Sequence, residues 1–320
     1  MKNVIAADIG GTNSRFAFFR LDEGEGLSIV DSFRFKTGDA RSLAELIEEV
    51  KKKTSVPPYS EWDALVLAVP GAVKERTFAK LANVPWTVDV SKLRLCSPEK
   101  KIFLINDFVA QAYACQRAGQ LERRSIQAGV AKSESPVAVI GAGTGLGHCV
   151  LAKEGHDTFL ALPSEAGHAA FPFYGKAEAA YQDYLLERTG AAYPYGDIVV
   201  SGPGLSSLHA YLTGDDLSPE DVANSIAPDS ETTMYFARFY GRACRNYALT
   251  VLAVGGLYIT GGVAIKNPFL VMDDHFREEF VDSAHYRTML EEIPVMLILD
   301  EDIGLWGAAN FGALNLRIGT

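Results

Sequence analysis

Asp8 closes an apolar run and is followed by Ile9, Gly10, Gly11, Thr12 and Asn13 before a second apolar run begins. A glycine turn after a buried strand lets backbone N–H groups converge on an anion, because no Cβ blocks the approach, and phosphate is the usual guest. The alternative is that Asp8 only caps the turn. The arrangement returns at Gly141, Gly143, Thr144, Gly145 and Gly147. Neither cluster is followed by the lysine of a P-loop. A Rossmann fingerprint fails as well, since Leu146 occupies a position that must be small and His148 to Ala152 continues as strand rather than helix. Both clusters therefore read as β-hairpins.

Two further groups could do chemistry. Asn106 and Asp107 end the apolar run KIFLI and begin the helical stretch DFVAQAYACQRAG, where an aspartate is an ordinary N-cap. Glu165 and His168 form E-x-x-H, a spacing that supplies metal ligands on a helix. No second E-x-x-H appears, and Pro163 and Gly167 oppose a regular helix, so a metal is set aside and a solvated loop is the plain alternative. The cysteines Cys96, Cys115, Cys149 and Cys244 are far apart, with no C-x-x-C and no zinc spacing. A reducing cytoplasm and no structural metal fit them best.

Strands are expected at residues 3–8, 14–21 and 27–35, the first two joined by the Gly10–Gly11 turn. An amphipathic helix follows, with Leu43, Leu46, Ile47 and Val50 on one face and Ser42 and Glu45 spaced as a capping box. The apolar runs 64–71 and 101–107 read as buried parallel strands entering loops. Residues 136–152 then repeat the opening, with Asp8 matched by Gly141 and Gly10 by Gly143, and residues 256–265 echo 65–73. An internal duplication of an α/β unit follows, giving two similar domains facing a cleft. The tail 303–316 reads as a terminal helix.

The chain has 320 residues, is 48% hydrophobic and carries a formal net charge of −10, which fits a folded protein with a sizeable core. Lysines cluster only at Lys51, Lys52 and Lys53, so nucleic acid and anionic membrane are not expected as partners. Too few apolar residues precede Asp8 for a signal peptide. Residues 246–265 carry no charge and approach the length of a membrane span, but Gly255–Gly256 and Gly261–Gly262 split them into a helix end, a strand and a turn.

D-I-G-G-T-N at 8–13, G-A-G-T-G-L-G at 141–147 and I-T-G-G at 259–262 resemble the two phosphate motifs and the adenosine motif of the actin-like sugar-kinase superfamily. LINDF (104–108), LPSEAGH (162–168), VVSGPGL (199–205) and ANVPW (82–86) resemble, more narrowly, the bacterial glucokinase family. The matches run in order along nearly the whole chain. The resemblance implies an α/β protein of two duplicated actin-like, ribonuclease H-like domains with mixed sheets facing an interdomain cleft. The small domain would be 1–109 plus the helix 304–320, and the large domain 110–303.

It also implies a cytoplasmic, ATP-dependent hexokinase of glucokinase type, acting on the 6-hydroxyl of glucose. Asp8 would face the Mg²⁺ of MgATP, and Ile9, Gly10, Gly11, Thr12, Asn13, Gly143, Thr144, Gly145, Gly261 and Gly262 would meet the nucleotide. Asp107 would be the catalytic base, with Asn106, Glu165 and His168 on the sugar hydroxyls. Asp197 stands where the family carries a glutamate that touches the sugar, so its contact and the sugar preference are open, and the tyrosines of AAYPYGD are expected to reshape this wall. A kinase for another hexose or amino sugar, a non-catalytic sugar sensor and an actin-like polymer are the alternatives. A repressor is disfavoured, for no cysteine-rich zinc motif follows E-x-x-H. ATP is favoured over ADP or polyphosphate as donor, and a homodimer would be ordinary for such a chain.

Overall fold

A computed structural model of the chain describes residues 1–22, 26–81, 84–93, 101–154 and 159–317. Cys96, the Ala82 and Asn83 of the ANVPW motif, and residues 318–320 lie outside the described residues. The chain divides into two compact units, one of Met1–Arg117 with Asp302–Thr320 and one of Ala118–Glu301.

In the first unit the chain runs through β1 (Lys2–Ile9), β2 (Asn13–Leu21), β3 (Leu27–Lys36), the helix α1 (Leu43–Lys51) and β4 (Ala64–Val69). A small pair, β5 (Phe78–Lys80) and β6 (Thr87–Asp89), precedes β7 (Lys101–Asn106) and α2 (Asp107–Cys115). The main sheet has the order β3-β2-β1-β4-β7, antiparallel across β3-β2-β1 and parallel across β1-β4-β7. Every residue of β4 is buried because both faces are covered, which is why the strand lacks apolar alternation. Ile5, Ala7 and Ile9 share a core with Leu43, Leu46, Ile47 and Val50 of α1. On the opposite face the C-terminal helix Ile303–Arg317 lies so close that Gly312 sits against Val4 and Val66.

The capping box at α1 is half made. Ser42 accepts from the Glu45 N–H at 3.2 Å, but the Glu45 carboxylate accepts from the Arg41 N–H, one residue before the expected partner. Ser42→Ala should cost about 1 kcal/mol, to be measured by urea unfolding; an unchanged midpoint would show that α1 rests on its apolar face alone.

The second unit begins with β8 (Arg123–Gln127), β9 (Val137–Ala142), β10 (Leu146–Lys153) and β11 (Phe159–Ser164). Next come α3 (Gly175–Thr189), α4 (Gly196–Val199), α5 (Gly202–Thr213), α6 (Pro219–Ser225) and α7 (Glu231–Val251). The strand β12 (Gly256–Thr260), helices α8 (Gly262–Lys266), α9 (Phe269–Met272), α10 (Asp274–Val281) and α11 (Arg287–Glu292), and β13 (Val295–Ile298) complete it. Its sheet order is β11-β10-β9-β12-β13-β8. The first five strands repeat the order and directions of the first unit, with β8 added antiparallel at the edge. The duplication read from the glycine turns is thus present as topology.

The resemblance implies a first boundary at residue 109, and the compact unit runs on to Arg117. Residue 109 lies inside α2, and α2 belongs wholly to the first unit because it packs on the C-terminal helix. Asn310 donates to the Tyr113 carbonyl at 2.8 Å and accepts from Arg117 Nε at 2.7 Å. Among the described residues no helix is long and apolar enough to cross a membrane. Residues 246–265 divide into the end of α7, β12 and α8, so the helix end and the strand stand where the glycine pairs indicated, while the expected turn opens a short helix at Gly262.

Candidate active site

Asp8 sits near the end of β1 opposite Arg15 of β2, whose guanidinium lies 3.7 Å from its carboxylate and 3.1 Å from that of Asp302. Gly304, in the first turn of the C-terminal helix, stands directly behind: a Cβ there would be 3.0 Å from Asp8 Oδ2. Burial pushes the Asp8 pKa up, Arg15 pulls it down and Asp302 raises it again. The turn that follows is held from outside the hairpin, for Thr37 Oγ1 donates to the Gly10 carbonyl at 2.7 Å and the Thr37 N–H to the Thr12 carbonyl at 3.0 Å. Among the described residues the N–H groups of Gly11 and Thr12 have no protein acceptor. The Ile9 side chain is fully buried in the core, so only its backbone is available to a ligand.

Asp107 opens α2, but it does not cap it. The cap is Asn106, whose Oδ1 accepts from the N–H groups of Phe108 and Val109 at 2.9 and 3.2 Å, while its Nδ2 donates to the Gly71 carbonyl at 3.1 Å. The ordinary explanation of an aspartate at this point is therefore taken by its neighbour. Asp107 Oδ1 accepts from the Phe108 N–H at 2.9 Å. Burial raises its pKa to about 7, helped by the charge of Asp8 and opposed by the helix N–H groups. A carboxylate poised there is suited to taking a proton from a hydroxyl at neutral pH.

The second hairpin, between β9 and β10, is one residue shorter. Ala142 pairs with Leu146 across a three-residue turn, where Ile9 pairs with Ser14 across four. The Gly143 N–H donates to the Gly145 carbonyl and its own carbonyl accepts from the Gly202 N–H at the start of α5, both at 2.8 Å. The Ala142 N–H donates to Tyr240 of α7 at 3.0 Å. The Thr144 N–H, at the exposed tip, has no acceptor among the described residues. Gly261 follows β12 at φ +88°, and a Cβ there would fall 2.5 Å from the Ala142 carbonyl. Gly261 thus brings the end of β12 against this hairpin, with Gly262 opening α8.

Glu165 and His168 flank a single 3₁₀ turn after β11, not a helix. Both side chains are largely exposed, and His168 Nε2 lies 3.9 Å from Glu165 Oε2 and from Asp197 Oδ2. The tyrosine segment does shape this wall: the Tyr195 ring is 5.6 Å from that of His168, and the Tyr193 hydroxyl donates to the His168 carbonyl at 3.2 Å. Asp197 points toward the hairpin, where its Oδ1 accepts from the Leu146 N–H at 2.8 Å.

The first unit therefore gathers Asp8, Gly10–Asn13, Asn106 and Asp107, and the second gathers Gly143–Gly145, Gly261, Gly262, Glu165, His168 and Asp197. The family model described as Glucokinase matches residues 5–315. The chain belongs to the glucokinase family. A glucokinase of Nostoc punctiforme is 30% identical over 342 residues, covering 97% of this chain and 98% of the relative. Another from Trichormus variabilis is 31% identical over 340 residues, with the same two coverages. The solved structure of a glucokinase from an Antarctic psychrotroph matches with a TM-score of 0.82 at 28% identity, covering 98% of this chain and 99% of that one. As a member of the glucokinase family this chain is an enzyme of the kinase class with an actin-like fold.

Sequence reasoning missed Arg15, Asp302, His148 and Tyr240. Arg15 was within reach, because a cross-strand partner of Asp8 follows once the hairpin register is counted from the turn. Asp302 carries no local signal.

Proposed function

We propose that this chain transfers the γ-phosphate of ATP to the 6-hydroxyl of glucose, giving glucose 6-phosphate and ADP, with Asp107 as the general base. The observation that carries this reading is the Asp107 carboxylate, freed from capping by Asn106 and raised to about pH 7 beside Asp8. Asp107 takes the proton of the 6-hydroxyl as its oxygen attacks the γ-phosphorus. Asn106, Glu165, His168 and Asp197 hold the other hydroxyls, the Asn106 amide through the one N–H left after Gly71. The unpaired N–H groups of Gly11, Thr12 and Thr144 meet phosphate oxygens, and Gly261 and Gly262 border the rest of the nucleotide.

The residues present fit Mg²⁺ as part of the nucleotide substrate. The charge of Asp8 helps to raise the Asp107 pKa, so positive charge is favoured beside them. Among the described residues no three metal-ligating side chains form a cage, as suits an ion that keeps most of its waters and takes one or two carboxylates plus phosphate. Magnesium, when bound, neutralises charge on the transferring phosphoryl group. Asp8 holds it through water, and Arg15 and Asp302 orient Asp8. Work in the cytoplasm, at the entry of glucose into glycolysis and as a homodimer, belongs to the same proposal.

A kinase for a different hexose is the second reading, favoured by one observation: Asp197 spends one carboxylate oxygen on Leu146. ADP release measured with MgATP against glucose, mannose, fructose, galactose, glucosamine and N-acetylmannosamine decides between them. Turnover strongest with glucose is expected. Turnover strongest with another sugar moves the substrate and keeps the base, whereas sugar binding without turnover on any of them overturns the enzyme.

A further inference from the structure

The Leu146 peptide, directly after the turn Gly143–Gly145, is held by side chains at both ends. Its N–H donates to Asp197 Oδ1 at 2.8 Å. Its carbonyl lies 3.0 Å from Nδ1 of His148 two residues along β10. Since a carbonyl can only accept, Nδ1 carries the proton. His148 is buried, its ring packs edge-on against Tyr247 of α7 at 4.5 Å, and burial pulls its pKa down to about 4, so the neutral ring with one N–H is the form present.

The surroundings are cut to admit this carboxylate. A Cβ at Gly145 would lie 2.6 Å from Asp197 Oδ2, and one at Gly167 would lie 2.4 Å from Oδ1 and 2.2 Å from the Leu146 carbonyl. The Asp197 carboxylate thus fills the space where side chains of the turn and of the E-x-x-H loop would otherwise begin.

We propose that Asp197 and His148 are positioning residues that clamp the Leu146 peptide and so hold the Gly143–Gly145 turn in its phosphate-binding shape. The proposal rests on the reading above that this turn meets the phosphates of the nucleotide. It gives Asp197 a second duty beside the sugar wall, and it gives a role to a buried histidine that the transfer itself does not use.

The test is binding of ADP and AMPPNP to the full chain by calorimetry without sugar, with KM for ATP and for glucose measured alongside. Asp197→Ala removes the acceptor and should weaken nucleotide binding about tenfold or more. Asp197→Asn keeps an oxygen for the Leu146 N–H and should stay within about threefold of the parent for nucleotide. His148→Phe keeps the ring against Tyr247 but loses the donor, and should weaken nucleotide in the same direction as Asp197→Ala with KM for glucose unmoved. If Asp197→Ala does not fold, His148→Phe decides alone. Loss of glucose affinity in both Asp197 variants with nucleotide binding intact would overturn the clamp and leave Asp197 a sugar ligand.

Gly143→Val separates the two layers of the argument, because a Cβ at Gly143 meets nothing within 4 Å in the protein. If it leaves nucleotide binding unchanged, the turn is not a phosphate site and the clamp falls with that reading. If it weakens binding while Asp197→Ala and His148→Phe do not, the phosphate site stands and only the clamp is lost.

Discussion

Asp107→Asn lowers kcat at least roughly 10²-fold while the KM values for glucose and ATP move little, as expected when the lost interaction is made in the transition state. Asparagine keeps the oxygen that accepts from the Phe108 N–H, so the fold should survive. For the parent enzyme, kcat/KM should fall on the acid side with a limb near pH 7, the value to which burial and Asp8 raise Asp107. Stability should show the same group with the sign reversed. An acid whose pKa rises from 3.8 to about 7 on folding holds its proton more tightly in the folded chain. The associated stability is complete below pH 3.8 and is lost as pH climbs through 7. Asp107→Asn cannot ionise, so its Tm should exceed that of the parent at pH 8 and lose this advantage toward pH 4. A variant with near-full turnover, or with a Tm difference flat across pH, removes the base assignment.

Gly307→Ala is expected to be the most damaging single methyl in the first unit. A Cβ there would lie 1.6 Å from the Ala110 carbonyl and 3.1 Å from the Ala114 N, both backbone atoms of α2, so no rotamer change relieves it. The C-terminal helix and α2 must separate, at a cost of about 3 kcal/mol or more. The damage reaches function because α2 begins with Asp107 and the C-terminal helix begins beside Asp8. Urea unfolding should show the first unit melting early and the second near its parental midpoint. A single unshifted transition would mean that the crossing adapts, and Gly304→Ala, whose Cβ meets Asp8 at 3.0 Å, should then be harmless too.

Besides the amphipathic α1, the apolar runs of β4 and β7 and the terminal helix, the elements legible in the sequence were those bounded by glycine: the hairpins at Gly10–Gly11 and Gly143–Gly145 and the split at Gly255–Gly256 and Gly261–Gly262. Their apolar strands stand out because both sheet faces are covered. Most of α7 was not legible, since its interior carries Arg242 and Arg245, which look like surface residues. In the fold Arg242 is buried against Glu178 and Glu279 and its guanidinium lies 4.0 Å from the Tyr174 ring centre, partners drawn from the start of α3 and from α10. β11 alternates exposed Leu160 and Leu162 with buried Ala161, the reverse of the usual cue. At the site, residue types were legible and geometry was not. Whether Asn106 or Asp107 caps α2 turns on a one-residue shift, and the bond from Leu146 to Asp197 spans 51 positions.

The first unit is written in two pieces, with the whole of Ala118–Glu301 between them. On the ribosome, the sheet that carries Asp8 and leads into Asp107 emerges early but waits for its last helix, while the second unit has everything it needs once Glu301 is out. Since domains fold as units during synthesis, the second unit should reach its native state first, leaving Val4 and Val66 uncovered until Gly312 arrives. A released chain truncated before residue 303 should therefore display a protease-resistant second unit and a cleavable first one, with Asp107, the proposed base, in the last part of the molecule to become competent.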